Sequence, residues 1–245
     1  MTMPWPRLLE NARDLLRNML TPPSPHESDP WTRHEANVAI HECLSRRRPP
    51  IPNEIVLQIL DHPSRWIRTQ INTRVATDGE PIRVSSSLQN CGEQQILATN
   101  PLSQPEVPRI RSVVYTFTSR DQGWSSFPTQ HDTYEGSFTW FEASLTRPLA
   151  PDLVESERQD LLQLKATKER TRYELQRNRH AGRHPETYRH ELGTDHRLLQ
   201  HAEEGDSVVL WARASFPGWE NRLFNASIEV WCVDDLTGRM HSTAR

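Results

Sequence analysis

A chain of 245 residues can bury a full core as one large β domain, or as one domain with helical appendages. The apolar fraction of 35% and mean hydropathy of -0.75 predict substantial polar loops, and the net charge of -3 gives no general attraction to nucleic acid or an anionic membrane. Cys43, Cys91 and Cys232 stand far apart with no CxxC pair, which excludes a zinc knuckle, and no run approaches the ~20 apolar residues of a membrane span.

In chain order, residues 1–20 carry Leu8, Leu9, Ala12, Leu15, Leu16, Met19 and Leu20 at helical spacing, an amphipathic helix. Arg7, Arg13 and Arg17 give it the look of a targeting segment, but Glu10 and Asp14 among them favour a docking helix. Residues 21–30, TPPSPHESDP, form a linker. Residues 31–66 form a helical segment. Its first helix is predicted over about 32–45, with Ala36, Ala39, Ile40, Cys43 and Leu44 on one face. Arg46, Arg47 and Arg48 then complement the helix dipole, or form a nuclear localisation signal. The second helix lies within 51–66, capped by Asn53, with a stripe of Ile55, Val56, Ile59 and Leu60.

From about Pro81 the hydrophobic period becomes two, and a β-sandwich domain is predicted over 81–235, followed by a tail over 236–245. Ile82 and Val84 begin a short strand, and 89–108 read as loop. The strongest strands are 111–118, 137–145, 207–214 and 224–233. Weaker ones are 172–178 and 187–192, after a charged excursion over 148–168. In the first strong strand Val113, Tyr115 and Phe117 share a face; in the last, Phe224, Ala226, Ile228, Val230 and Cys232 do. Helices do not alternate with strands often enough for a parallel sheet, so an antiparallel β-sandwich of jelly-roll type with N-terminal α-helices is expected.

Between two strong strands sits Arg120-Asp121-Gln122-Gly123-Trp124. Arg120, Asp121 and Gln122 can fork hydrogen bonds to sugar hydroxyls or a peptide backbone. Trp124 offers a flat apolar face, and Gly123 suits a turn with positive φ. The alternative is structural: Asp121 caps the turn, Arg120 pairs with it or with Glu142, and Trp124 closes the core. Trp219 and Asn221 lie in a second turn, where Trp219 either shares a cleft with Trp124 or plugs a corner. Trp140 and Glu142 complete the candidate ligand-binding set. Glu142 with Glu135 or Asp121 is the candidate carboxylate pair of a glycoside hydrolase. His180, His184, His190, His196 and His201 crowd one region without zinc spacing. No nucleophile elbow, phosphate loop or HExxH occurs.

The motifs SRDQGWSS (119–126), TYEGSFTWFEA (133–143) and FPGWEN (216–221) resemble a group of fungal proteins that pair an F-box-like helix with a β-sandwich. YELQRNRHA (173–181) and GDSVVLWARA (205–214) resemble the same group, so the likeness spans about 109–233. Pro52, Glu54, Ile55, Ile59 and Leu60 are similar to the opening helix of an F-box. The chain departs from the group's pattern at Phe138, where tryptophan is common, and in its charged excursion. The resemblance implies a galactose-binding-like sandwich and a ubiquitin-ligase adaptor bound through 51–66; it implies no activity.

The function expected from these residues is non-catalytic recognition of a protein or carbohydrate by loops at one end of the sandwich. A carbohydrate hydrolase on the same sandwich, or a purely structural scaffold, is the alternative. No cofactor, metal, nucleic acid or membrane partner is called for, and an intracellular setting, cytoplasmic or nuclear, fits the unpaired cysteines and the want of a secretory leader.

Overall fold

Alternating apolar side chains draw the chain into strands wherever β-branched and aromatic residues supply them. The computed structural model describes residues 30–46, 52–87, 91–147 and 172–236. The chain is mainly β, in two antiparallel sheets, with few helices. It forms two compact units: Arg68–Cys232, and Met1–Ile67 with Val233–Arg245. The amphipathic helix over 1–20, most of the linker over 21–30, Arg47 and Arg48, the charged excursion and the tail beyond 236 lie outside the described residues.

The larger unit holds strands β1 (Ile67–Val75), β2 (Ile82–Ser85), β3 (Gly92–Ala98), β4 (Ile110–Arg120), β5 (Thr139–Thr146), β6 (Tyr173–Arg177), β7 (Glu186–Gly193), β8 (Ser207–Ala214) and β9 (Glu220–Cys232). One sheet runs β1-β9-β4-β7, with β2 also on β9; the other runs β3-β8-β5-β6. Val113, Tyr115 and Phe117 of β4 and Ile228 and Val230 of β9 meet Phe141 and Ala143 of β5 and Leu210 of β8 in one buried cluster. The Phe117 and Phe141 rings lie 4.2 Å apart across the two sheets. The two faces thus press together as a β-sandwich.

Three strand expectations need correction. β3 replaces part of the expected loop over 89–108: only Ile96 of its sequence is a fully buried large apolar residue, and a register shift between Gln95 and Leu97 breaks the alternation. β1 begins well before residue 81. Its sheltered positions are polar, with Gln70 donating to Glu106 and Arg74 to the Ile96 carbonyl, while Ile71 and Val75 are exposed. In β9, Phe224 does not share the core face. The register slips where Thr118 pairs with Asn225 but Ser119 with Leu223, so Leu223 turns inward instead.

In the smaller unit, helix α1 (Pro30–Ser45) packs Ile40 and Leu44 on Val56 and Leu60 of helix α2 (Asn53–Leu60). Ala36, Ala39 and Cys43 are exposed, because Asn37 takes the buried position of that stripe. Asn37 donates to the Asp234 carboxylate at 3.1 Å and to the Arg65 carbonyl at 2.9 Å, which explains a polar residue there. Asn53 does not cap α2; Pro52 takes that position without a side-chain bond, its carbonyl accepting from the Ile55 and Val56 amides. The three cysteines are free thiols, and burial pushes that of Cys232 up to about 11. No helix among the described residues is long and apolar enough to cross a membrane.

His190 on β7 stacks at 6.0 Å on Phe117, and burial holds its imidazole below the usual range. The unfolded chain therefore binds the proton more readily. This stability is fully present above about pH 6.5 and is lost as pH falls through the lowered value. The melting temperature should drop on going from about pH 7 to about pH 5, and His190→Gln should make that drop smaller. An equal drop in the variant removes His190 as the cause.

Candidate functional site

Register places four connections at one end of the sandwich. Ser85 pairs with Glu220, Gly92 and Thr139 with Ala214, Trp140 with Arg177, and Ser119 with Glu186. The described residues of these connections are 86–87 with 91, 121–138, 178–185 and 215–219. Long loops gathered on a rigid sandwich are where binding residues concentrate.

Beneath them lies a buried polar cross-link between the sheets. The Ser119 hydroxyl donates to Asn178 Oδ1 at 2.7 Å. Asn178 Nδ2 donates to Thr139 Oγ1 at 3.0 Å and Asn221 Oδ1 at 3.1 Å. Asn221 Nδ2 in turn donates to the Trp140 and Arg213 carbonyls at 3.1 and 3.3 Å. Ser119 and Asn221 belong to one sheet, Thr139, Trp140 and Arg213 to the other. Asn221 is therefore corrected from ligand contact to internal strut, since it is wholly buried and its amide is spent between strands.

Asp121 is also wholly buried. Its Oδ1 accepts from the Gly123 amide at 2.8 Å, which closes the turn with Gly123 at φ 85°, and its Oδ2 accepts from the Ala181 amide at 2.5 Å. Burial raises its carboxyl above the usual range, against the pull of these two amides. Gln122 donates to the Trp124 carbonyl at 2.8 Å and accepts from the Glu220 amide at 3.3 Å, stitching two loops together. Arg120 donates to the Arg183 carbonyl at 3.2 Å rather than pairing with Glu142. The expected hydrogen-bonding fork is thus turned inward, to hold loops.

Trp140 and Glu142 lie elsewhere, on the outer face of the second sheet. The Trp140 indole N–H donates to Glu142 at 2.6 Å, and the Glu142 carboxylate faces Arg172 and Arg213, each at 3.6 Å. Arg172 stacks on Trp211 at 4.1 Å, and Arg177 and Arg213 lie over Trp140 at 5.3 and 5.6 Å. This is a ladder of guanidinium and indole planes with interleaved carboxylates, already paired within itself. The Glu142 carboxylate is engaged by two guanidiniums and an indole N–H, which leaves the glycosidase pairing without support.

Trp219 is half-buried and packs edge-on against Phe138 and His180, each at 5.1 Å. It acts as a corner plug. Trp124 does not close the core, being 63% exposed. Phe127 at 63%, Phe216 at 56% and Tyr134 at 45% stand out from the same set of loops.

No protein-family model matches the chain, and no curated protein matches its sequence.

The aromatic rim sits on a strained frame. Among the described residues, the non-glycine positions with left-handed φ are Asp132 (58°), Ala181 (54°) and Phe216 (67°), one in each of three loops at this end. Asp132 and Thr133 pair with His180 through backbone bonds of 2.8 and 2.7 Å. Phe127, Tyr134, Phe216, Ser125 and His131 are the members of this end that the sequence reading did not single out, and His180 was named only as one of a crowd of histidines. The available signal was aromatic residues in a stretch rich in turn formers, beside Pro128, Gly136 and Pro217. Among the described residues no cluster of three or more His, Cys, Asp or Glu is placed to hold a metal. His196 instead caps helix α3 (Arg197–Gln200), accepting from the Leu198 amide at 3.1 Å.

Proposed function

We propose that the sandwich is a recognition module which binds a protein segment through the rim of Trp124, Phe127, Tyr134 and Phe216. The supporting observation is four large aromatics held exposed on loops at one end, over a rigid polar cross-link. Such rings supply contact area at small cost in side-chain entropy and dominate protein interfaces. A glycan is the weaker ligand, because the side chains best suited to sugar hydroxyls, Asp121 and Gln122, are spent on backbone groups. A carbohydrate hydrolase is weaker still, given the ion-paired Glu142.

Helix α2 belongs to the same reading. Val56 and Leu60 are buried, while Ile55 and Leu57 are exposed on the helix that resembles an F-box opening. These two side chains offer an apolar contact for a ubiquitin-ligase adaptor, in a cytoplasmic or nuclear setting. The likeness to fungal F-box-like proteins with a galactose-binding-like jelly roll is part of this proposal and rests on the sequence motifs quoted above.

The test is selection of peptides from a displayed library on the immobilised chain, with a glycan array as the second arm. Peptide binding should weaken at least about tenfold in a Trp124→Ala, Phe127→Ala double variant that keeps its unfolding free energy. Phe216→Gly relieves a left-handed phenylalanine and removes a rim ring. It should weaken binding while changing stability by no more than about 1 kcal/mol. Adaptor capture should be lost in Ile55→Asp. Glycan binding without peptide binding, or peptides held undiminished by the double variant, would end the rim assignment.

A further inference from the structure

We infer that Ser125 and His180, inside the loop end, form a nucleophile–base pair able to cleave carboxylic esters with an apolar acyl group. This goes beyond the recognition reading and does not rest on it.

The tautomer follows from the partners. His180 Nδ1 stands 3.0 Å from the Glu135 carbonyl oxygen. A carbonyl only accepts, so this nitrogen carries the proton and donates. Nε2 then presents a lone pair, and the Ser125 Oγ lies 2.5 Å from it. The hydroxyl donates to the imidazole. This is the arrangement in which a base activates an alcohol: nucleophile to base, base to an orienting acceptor. The Glu135 carbonyl takes the orienting place that a carboxylate often fills.

The surroundings hold the ring in that pose. His180 is wholly buried, with Trp219 edge-on at 5.1 Å and His131 tilted at 5.8 Å. Its own backbone is bonded on both sides to Asp132 and Thr133, and the next residue is the left-handed Ala181, held by Asp121. Ser125 itself is only half-buried. The Phe127 amide donates to its Oγ at 3.0 Å, a local turn bond that fixes where the hydroxyl stands. His131 Nε2 lies 3.4 Å from the same Oγ. Trp124 and Phe127, exposed on either side of Ser125 in the chain, offer the apolar surface that selects the acyl group.

The reaction balances without a further reagent. Ser125 Oγ bonds to the ester carbonyl carbon as its proton passes to His180 Nε2. The carbon–oxygen bond to the alcohol breaks, and the alcohol leaves with that proton. Water then gives a proton to His180 and attacks the acyl carbon, and Ser125 Oγ leaves, taking the proton back. The sum is ester plus water giving acid plus alcohol.

The test uses the full chain with an alkyl fluorophosphonate and with p-nitrophenyl butyrate. The phosphonate should add once, with loss of fluoride, on the peptide that carries Ser125. Ser125→Ala should abolish both the adduct and nitrophenol release above buffer. His180→Gln should slow both by about a hundredfold or more. The wild-type chain alone can overturn the inference, so a misfolded variant does not protect it. Folded wild-type protein that is unlabelled, labelled elsewhere or without turnover refutes it, as does label persisting in Ser125→Ala. Phosphonate labelling at Ser125 in a wild-type chain that holds no library peptide separates this pair from the rim.

Discussion

Asn178→Ala should lower the unfolding free energy by about 3 kcal/mol, among the larger effects expected of one substitution here. The side chain is wholly buried and makes three hydrogen bonds, to Ser119, Thr139 and Asn221. Alanine strands the Ser119 hydroxyl and the Asn221 carbonyl oxygen where water does not reach. Each unmet group costs about 1–3 kcal/mol, and partial rearrangement recovers some of the sum. Asn178→Asp should be no better, since a buried carboxylate would face the Asn221 oxygen and carry an unpaired charge. Urea unfolding followed by tryptophan fluorescence reads this directly. The midpoint should fall with an unchanged slope, and the melting temperature by roughly 6–12 °C. A variant within about 0.5 kcal/mol of wild type would mean that the cross-link does not hold the sheets together.

Phe117→Ala should lose about 3–5 kcal/mol. The ring is fully enclosed, 4.2 Å from Phe141 of the facing sheet and 5.8 Å from Tyr188 beside it. Removing it takes away apolar burial and leaves a void that two paired sheets are too stiff to close. The same substitution at Phe127 makes the contrast: that ring is 63% exposed, so Phe127→Ala should change stability by less than about 0.5 kcal/mol. One chemical change, two positions and a large difference in midpoint would locate the core on β4. Equal effects at both positions would show that the sandwich interior is not where Phe117 sits.

The β4 interior was legible because Val113, Tyr115 and Phe117 repeat at period two with nothing to interrupt them. β8 was found at its observed limits for the same reason. β3 and β1 were not, since a register shift spoils the alternation in one and polar residues take the sheltered face in the other. The candidate site was legible only in part. The turn at Asp121 and Gly123 has local chemistry, a carboxylate two residues before an amide it can accept from, and it stands as expected. Trp140 and Glu142 were grouped with it although alternation turns them to the outer face of a sheet.

Composition and periodicity alone determined that this chain makes an antiparallel sandwich behind N-terminal helices. Each strand's inward face is decided by neighbours one or two residues away, and helix stripes by neighbours three or four away. Only the tertiary structure decided which polar side chains face a ligand and which face one another. Asn178 and Asn221 are 43 residues apart, and Ser125 and His180 are 55 apart. Their meeting depends on strand order and register, which bring separate loops to one end. A polar residue carries no mark in its own neighbourhood to say whether its partner will be water, a ligand or another strand.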